Sequence, residues 1–134
     1  MGRTGVKVPR RVCVKVASLR PRYKNLQDWL ETPKHVLVTR RGRVFLEKTT
    51  VFHYPQSEWH NPFPVGPKEK GKYSLDESLS LFRAHLDQLL ADPATRTRFE
   101  ETMAGADEMG CFCAPGAQCH ADVLISAYSD LKEL

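Results

Sequence analysis

The sequence predicts an α/β sandwich with a mainly parallel sheet, with α+β as the alternative arrangement. Three observations carry this expectation: strand-like alternation is confined to the first half of the chain, capped amphipathic helices follow residue 74, and the C-terminus reads as strand, loop and helix. At 134 residues the chain has the size of one core. A composition of 41% hydrophobic and 27% charged residues excludes collagen-like, low-complexity and wholly disordered chains. We therefore expect a basic flexible arm at residues 1–11 and a single domain over 12–134.

The elements follow in order. Val12, Val14 and Val16 alternate with Cys13, Lys15 and Ala17, the period-two pattern of a strand with one buried face. It ends at Ser18-Leu19-Arg20-Pro21-Arg22, where proline removes a ladder donor and two arginines offer an anion contact. Asn25 to Glu31 reads as one helical turn capped by Asn25. Val36 to Thr39 is a short β-rich run, Arg40 to Arg43 a basic turn, and Val44 to Phe52 further extended chain, together two strands or a hairpin. Five residues, Pro55, Pro62, Pro64, Gly66 and Pro67, then break regular structure from about residue 55 to 72, a loop long enough to be functional or mobile.

Ser74-Leu75-Asp76-Glu77 is a capping box, and Leu75, Leu79, Phe82, Leu86, Leu89 and Leu90 follow at helical spacing. Asp92-Pro93 caps a further helix, with Phe99 and Met103 on its apolar stripe, as far as Gly105. Met109 to Cys113 is a compact strand, and Val123, Leu124, Ala127, Tyr128 and Leu131 define a last helix opening near Gln118 or Cys119. Open α/β sheets bind ligands beyond the carboxyl ends of their strands, which singles out the loops Ser18–Arg22, Tyr54–Gly66 and Ala114–Gln118.

The formal net charge of +4 is unevenly spread: residues 1–50 carry +10 and residues 51–134 carry −6. A basic half of this kind attracts phosphates or nucleic acid, and the Arg40, Arg41 and Arg43 turn is its sharpest feature. No apolar run reaches the roughly 18 residues of a membrane span, and Met1 to Arg11 lacks the apolar centre of a secretory signal. The expectation is an intracellular, cytoplasmic protein, in the host cell if viral, with no membrane partner.

Cys111-Phe112-Cys113-Ala114-Pro115-Gly116-Ala117-Gln118-Cys119-His120 is the richest stretch chemically. On a strand Cys111 and Cys113 share a face while Phe112 points away, and Cys119 with His120 falls at a helix start. Three readings follow. Cys111, Cys113, Cys119 and His120, with His53 or His60 in reserve, could hold zinc. Cys119 could act as a nucleophile with His120 or His60 as base. The cysteines could also be buried hydrophobes beside an ordering histidine. In the long loop, Trp59-His60-Asn61-Pro62-Phe63 suits stacking on a base and hydrogen bonding to its edge; the other reading is a loop pinned by burying Trp59 and Phe63.

The pair of motifs, Trp59-x-Asn61-Pro62-Phe63 and, after a helix, Cys111-x-Cys113-x-Pro115 with Cys119-His120-Ala121-Asp122-Val123-Leu124, resembles the domain-of-unknown-function family 4326 of bacteria, phages, large DNA viruses and some eukaryotes. The resemblance implies a small Rossmann-like domain and names no reaction. This chain has His60 where the family usually has glycine and Phe112 where it usually has tryptophan, and its Pro115–Cys119 spacing is one residue longer.

The leading functional expectation is a pocket for a nucleotide or related phosphorylated ligand. Arg20 and Arg22 would meet phosphate, Trp59, Asn61 and Phe63 the base or sugar, and Cys113, Pro115 and the Cys119-His120 helix start an anion or reacting atom. The alternatives are a zinc-stabilised protein that binds nucleic acid or assembles through its basic half, and a non-catalytic component of a virion or large complex.

Overall fold

The computed structural model describes residues 7–46, 50–113 and 116–133. Its centre is a three-stranded parallel sheet of β1 (Arg10–Cys13), β2 (His35–Leu37) and β5 (Glu108–Cys111), in the order β1-β5-β2. The last strand in sequence is thus the middle one in space. Cys13 lies beside Cys111 on one side, and Leu37 beside Gly110 on the other. β3 (Gly42–Phe45) and β4 (Val51–Tyr54) form a separate antiparallel hairpin.

β5 is buried along its whole length because both faces are covered. On one face Met109 and Cys111 join Phe82, Leu86, Phe99, Met103, Leu124 and Tyr128, drawn from α3 (Leu75–Leu90), α4 (Pro93–Gly105) and α5 (His120–Glu133). On the other, Val14, Leu19, Leu26 and Trp29 gather α1 (Val16–Leu19), α2 (Leu26–Glu31) and the hairpin residues Val44, Phe52 and Tyr54. A Cβ on Gly110 would stand 2.6 Å from Val14 Cγ1 and 2.7 Å from the Trp29 ring. Only glycine lets the indole lie this close to the middle strand.

Local signals mostly set the helix ends. Ser74 accepts from the Glu77 N–H while the Glu77 carboxylate accepts from the Ser74 N–H, and Asp92 accepts from Thr95 with Pro93 at the first helical position. Asn25 caps α2 by accepting from the Asp28 N–H at 2.9 Å.

Four expectations need correction. The first strand begins at Arg10 and stops at Cys13, its register partner being Cys111 at the end of β5; with no further neighbour to pair, the chain turns into α1 and leaves Val16 exposed. The alternation through Val16 therefore reports no strand there. Val36 to Thr39 does not pair with the segment after it but with β5, so Arg43 is a strand residue and not part of a hairpin turn. The chain reverses between Phe45 and Val51. Strand β5 ends at Cys111, two residues before the expected Cys113. Finally, the proline-rich loop holds one 3₁₀ turn, Lys68–Lys70, and a bridge between Val65 and Tyr73.

Candidate functional site at the carboxyl end of the sheet

Beyond the ends of β2 and β5 lies a cavity of about 510 Å³. Thr39, Arg40 and Arg41 after β2, Tyr54 at the end of β4, Phe112 after β5, and Asn61, Phe63 and Val65 of the long loop line it. Cys111, Cys113 and His120 complete it. Its place agrees with the rule that open parallel sheets bind ligands at their strand carboxyl ends. The Thr39 hydroxyl is fully buried and has no hydrogen-bond partner among the described residues.

The sulfurs of Cys111, Cys113 and Cys119 all lie within 4.8 Å of one another, and the cysteines are unpaired. Cys111 is delivered by the middle strand, Cys113 two residues later, and Cys119 by the approach to α5. Between the first two, Phe112 turns away and stacks on Tyr54 with centroids 5.9 Å apart. Cys111 and Cys119 are buried, whereas Cys113 is half-buried. The group is supplied with donors: Arg11 Nη1 lies 3.6 Å from Cys111 Sγ, and the Ala121 N–H lies 3.5 Å from Cys119 Sγ. Asp122 ties these supports together, pairing with Arg11 Nε at 3.3 Å and accepting from the Cys119 N–H at 3.1 Å.

One negative charge sits most readily on Cys111. Hydrogen bonds from the Cys113 and Cys119 thiols, aided by Arg11, hold its pKa well below the ordinary thiol value against the cost of burial. The Cys113 thiol is pushed up by its hydrogen bond to Cys111, although its contact with Cys119 works the other way; Cys119 is pushed up by hydrogen bonds to Cys111 and Cys113. Cys119 is buried and does not reach the cavity wall. That placement suits a ligand or packing role better than a nucleophile.

His120 is buried, and burial lowers its pKa. Its Nε2 lies 2.6 Å from the Val38 carbonyl, an acceptor only, so Nε2 carries the proton and Nδ1 keeps its lone pair. Nδ1 is 3.7 Å from Cys119 Sγ, yet His120 falls outside the three-thiol set. Phe82 meets the imidazole edge-on, with centroids 5.3 Å apart, and fixes the ring from α3.

The tryptophan-asparagine loop is pinned by its own motif. Trp59 is 4% exposed and packs edge-to-face on Phe99, so its ring belongs to the core and is closed to a ligand. Asn61 donates from Nδ2 to Ser78 Oγ at 2.9 Å and accepts from the Phe63 N–H at 2.9 Å, while the Ser78 hydroxyl donates to the Phe63 carbonyl. Ser78 is completely buried on α3, which locks the loop to that helix. Asn61 and Phe63 then face the cavity, and Arg40 Nε donates to the Asn61 carbonyl at 2.9 Å.

Other expected site residues are dispersed. Arg20 donates to the Lys24 carbonyl and lines a separate cleft with Val16 and Phe45; Arg22 lies over Tyr23 and lines another with Arg10 and Arg11. Neither reaches the thiol cavity, where Arg40 and Arg41 stand instead. Pro115 lies outside the described residues. His60 bonds the Ser57 carbonyl and His53 is exposed on β4; neither belongs to the thiol set. Sequence reasoning missed Arg11, Thr39 and Tyr54. For Arg11 a signal existed, since it shares the parity of Cys13, but it was counted with the basic arm.

Fold and site together define a small α/β domain with a reduced cysteine cluster at the strand ends of a parallel sheet. The chain belongs to the family described as Domain of unknown function (DUF4326), whose model matches residues 22–130. No curated protein and no solved structure matches the chain. No helix among the described residues is long and apolar enough to cross a membrane.

Proposed function

We propose that Cys111, Cys113 and Cys119 bind one zinc ion, and that the cavity beside it takes a nucleotide-like phosphorylated ligand. The observation that carries this reading is the convergence of three sulfurs within 4.8 Å, two of them from cysteines that line a cavity with two arginines and, among the described residues, no acidic one. Tetrahedral zinc with thiolates at about 2.3 Å needs sulfurs about 3.8 Å apart, a small contraction of the observed triangle. Zinc would supply the positive charge that lets all three thiols ionise together, and the Arg11 and Ala121 donors are the usual outer support of such sulfurs. Three thiolates would leave zinc a fourth position for a donor atom of the ligand, and His120 Nδ1, 3.7 Å from Cys119 Sγ, would stand near the ion as an oriented base.

Arg40 and Arg41 suit the phosphate in this arrangement, while Phe63 and Tyr54 suit a ring. Native mass spectrometry with elemental analysis of the purified protein tests the reading. It expects one zinc per chain, lost in the Cys111→Ser, Cys113→Ser double variant, and a nucleotide retained or rebound by the metal-loaded protein. Metal-free wild-type protein that takes up no added zinc would refute the metal half. Nucleotide binding unchanged in the Arg40→Ala, Arg41→Ala variant would refute the ligand half.

A further inference from the structure

We infer that the outer face of the β3–β4 hairpin is a track for single-stranded nucleic acid that leads into the thiol cavity. A second, shallower groove of about 1030 Å³ runs along this hairpin, lined by Arg41, Arg43, His53 and Tyr54 among others. Arg41 and Tyr54 line both this groove and the thiol cavity, so the two adjoin at these side chains. Among the described residues no acidic one lines either. Arg10, Arg11, Arg83, Arg96 and Arg98 pair with carboxylates, whereas Arg41 and Arg43, like Arg20, Arg22 and Arg40, pair with none among the described residues.

The hairpin also exposes an aromatic ring that its packing does not require. Val44, Phe52 and Tyr54 pack against the core on the inner side, while Arg43 and Phe45 alternate outward, with His53 directly opposite Arg43. Phe45 is 70% exposed, and the Arg43 guanidinium sits 5.9 Å from its ring centroid. Alternating strand residues stand about 6.7 Å apart, so Arg43 and Phe45 share the outward face of β3; Arg41 precedes the strand and lines the groove with Arg43, while Phe45 stands just past the groove, on the neighbouring cleft that also holds Arg20. A backbone-tracking cation row beside an exposed ring is how proteins hold unpaired strands without reading sequence. Duplexes keep their bases stacked inside and offer nothing to Phe45 or to the cavity. A small phosphorylated molecule, in turn, leaves the Arg43 end of the groove unused.

The inference stands on the hairpin and does not need the metal. Fluorescence anisotropy with labelled oligo(dT) and oligo(U) of roughly twelve nucleotides, on the protein as purified and after chelation, separates the two readings. Binding is expected in both samples. Neutralising about three phosphates through Arg40, Arg41 and Arg43 gives a salt slope of about −2, so affinity should fall about twentyfold between roughly 50 and 200 mM salt. Arg43→Ala and Phe45→Ala, both on an exposed face, should keep the wild-type circular dichroism and each weaken binding about five- to hundredfold. No binding at low salt, equal or tighter binding of a duplex of the same length, or unchanged affinity in the double variant would overturn the inference. So would light scattering showing that Phe45→Ala dissolves a dimer while oligonucleotide affinity is unaffected.

Discussion

The guanidinium of Arg11 on β1 reaches across to the Cys111 sulfur on β5, 3.6 Å from Nη1, while its Nε holds Asp122 at the start of α5. One side chain thus links an edge strand, the middle strand and the helix that follows the cysteine loop. Its side chain is only 15% exposed, so the contact to the buried Cys111 is shielded from water, whereas Asp122, 50% exposed, is partly screened. Supports of this kind orient a sulfur and offset part of its charge.

Replacing Arg11 by Met should therefore weaken zinc binding by about ten- to hundredfold, the usual cost of losing an outer-shell partner. Arg11→Lys should fall between the two, since it keeps the charge and loses the planar fork. Competition against a chromophoric chelator measures both. Equal zinc affinity in wild type and Arg11→Met would show that the guanidinium only packs.

Gly110 should tolerate no side chain. The Cβ of Gly110→Ala would meet Val14 and Trp29 well inside contact distance, and neither the strand backbone nor the indole has room to retreat. We expect a loss of about 1–3 kcal/mol in urea unfolding. A midpoint within error of wild type would mean that Trp29 moves more freely than its complete burial implies.

Ser78→Ala removes the group that both accepts from Asn61 and donates to the Phe63 carbonyl. It leaves two polar groups without their partner, at a cost of about 1–3 kcal/mol. Because Asn61 and Phe63 line the cavity, hydrogen exchange should rise in residues 59–63 before it rises in α3. Uniform exchange in the two segments would argue against the loop being held through this serine.

Acid should destabilise the fold through Glu108. Burial by itself would raise its pKa, but hydrogen bonds from Trp29 and Arg10, helped by the charges of His35 and Arg10, bring it below the ordinary 4.5. In that window the unfolded chain binds the proton more readily than the folded one. The stabilisation is complete above the unfolded value and is lost as pH falls through the folded value. Denaturation from about pH 6 to pH 3 should show a steeper acid loss for wild type than for Glu108→Gln, which would also be less stable at neutral pH. Parallel pH profiles would remove Glu108 as the cause.

Much of the fold was legible because its signals are local. The Ser74–Glu77 box, the Asp92-Pro93 start and the Asn25 cap each join groups three residues apart or fewer, and each closes as the sequence predicts. The cysteine cluster was legible in the same way, since three of its sulfurs come from nine consecutive residues. Trp59 illustrates the boundary: its motif was visible, but whether the ring faced a ligand or the core depended on Phe99, forty residues on.

What the amino-acid sequence alone determined was the α/β class, the starts of α2, α3 and α4 and the chemical identity of the cysteine loop, all of them properties of short windows. Only the tertiary structure decided that β5 enters between β1 and β2, that Arg11 stands behind Cys111, and that Arg40 and Arg41 rather than Arg20 and Arg22 share the thiol cavity. The physical reason is that strand order and cavity lining follow from pairings about 70–100 residues apart. Those pairings are chosen by which faces bury together, and a pattern of neighbours along the chain holds no record of that choice.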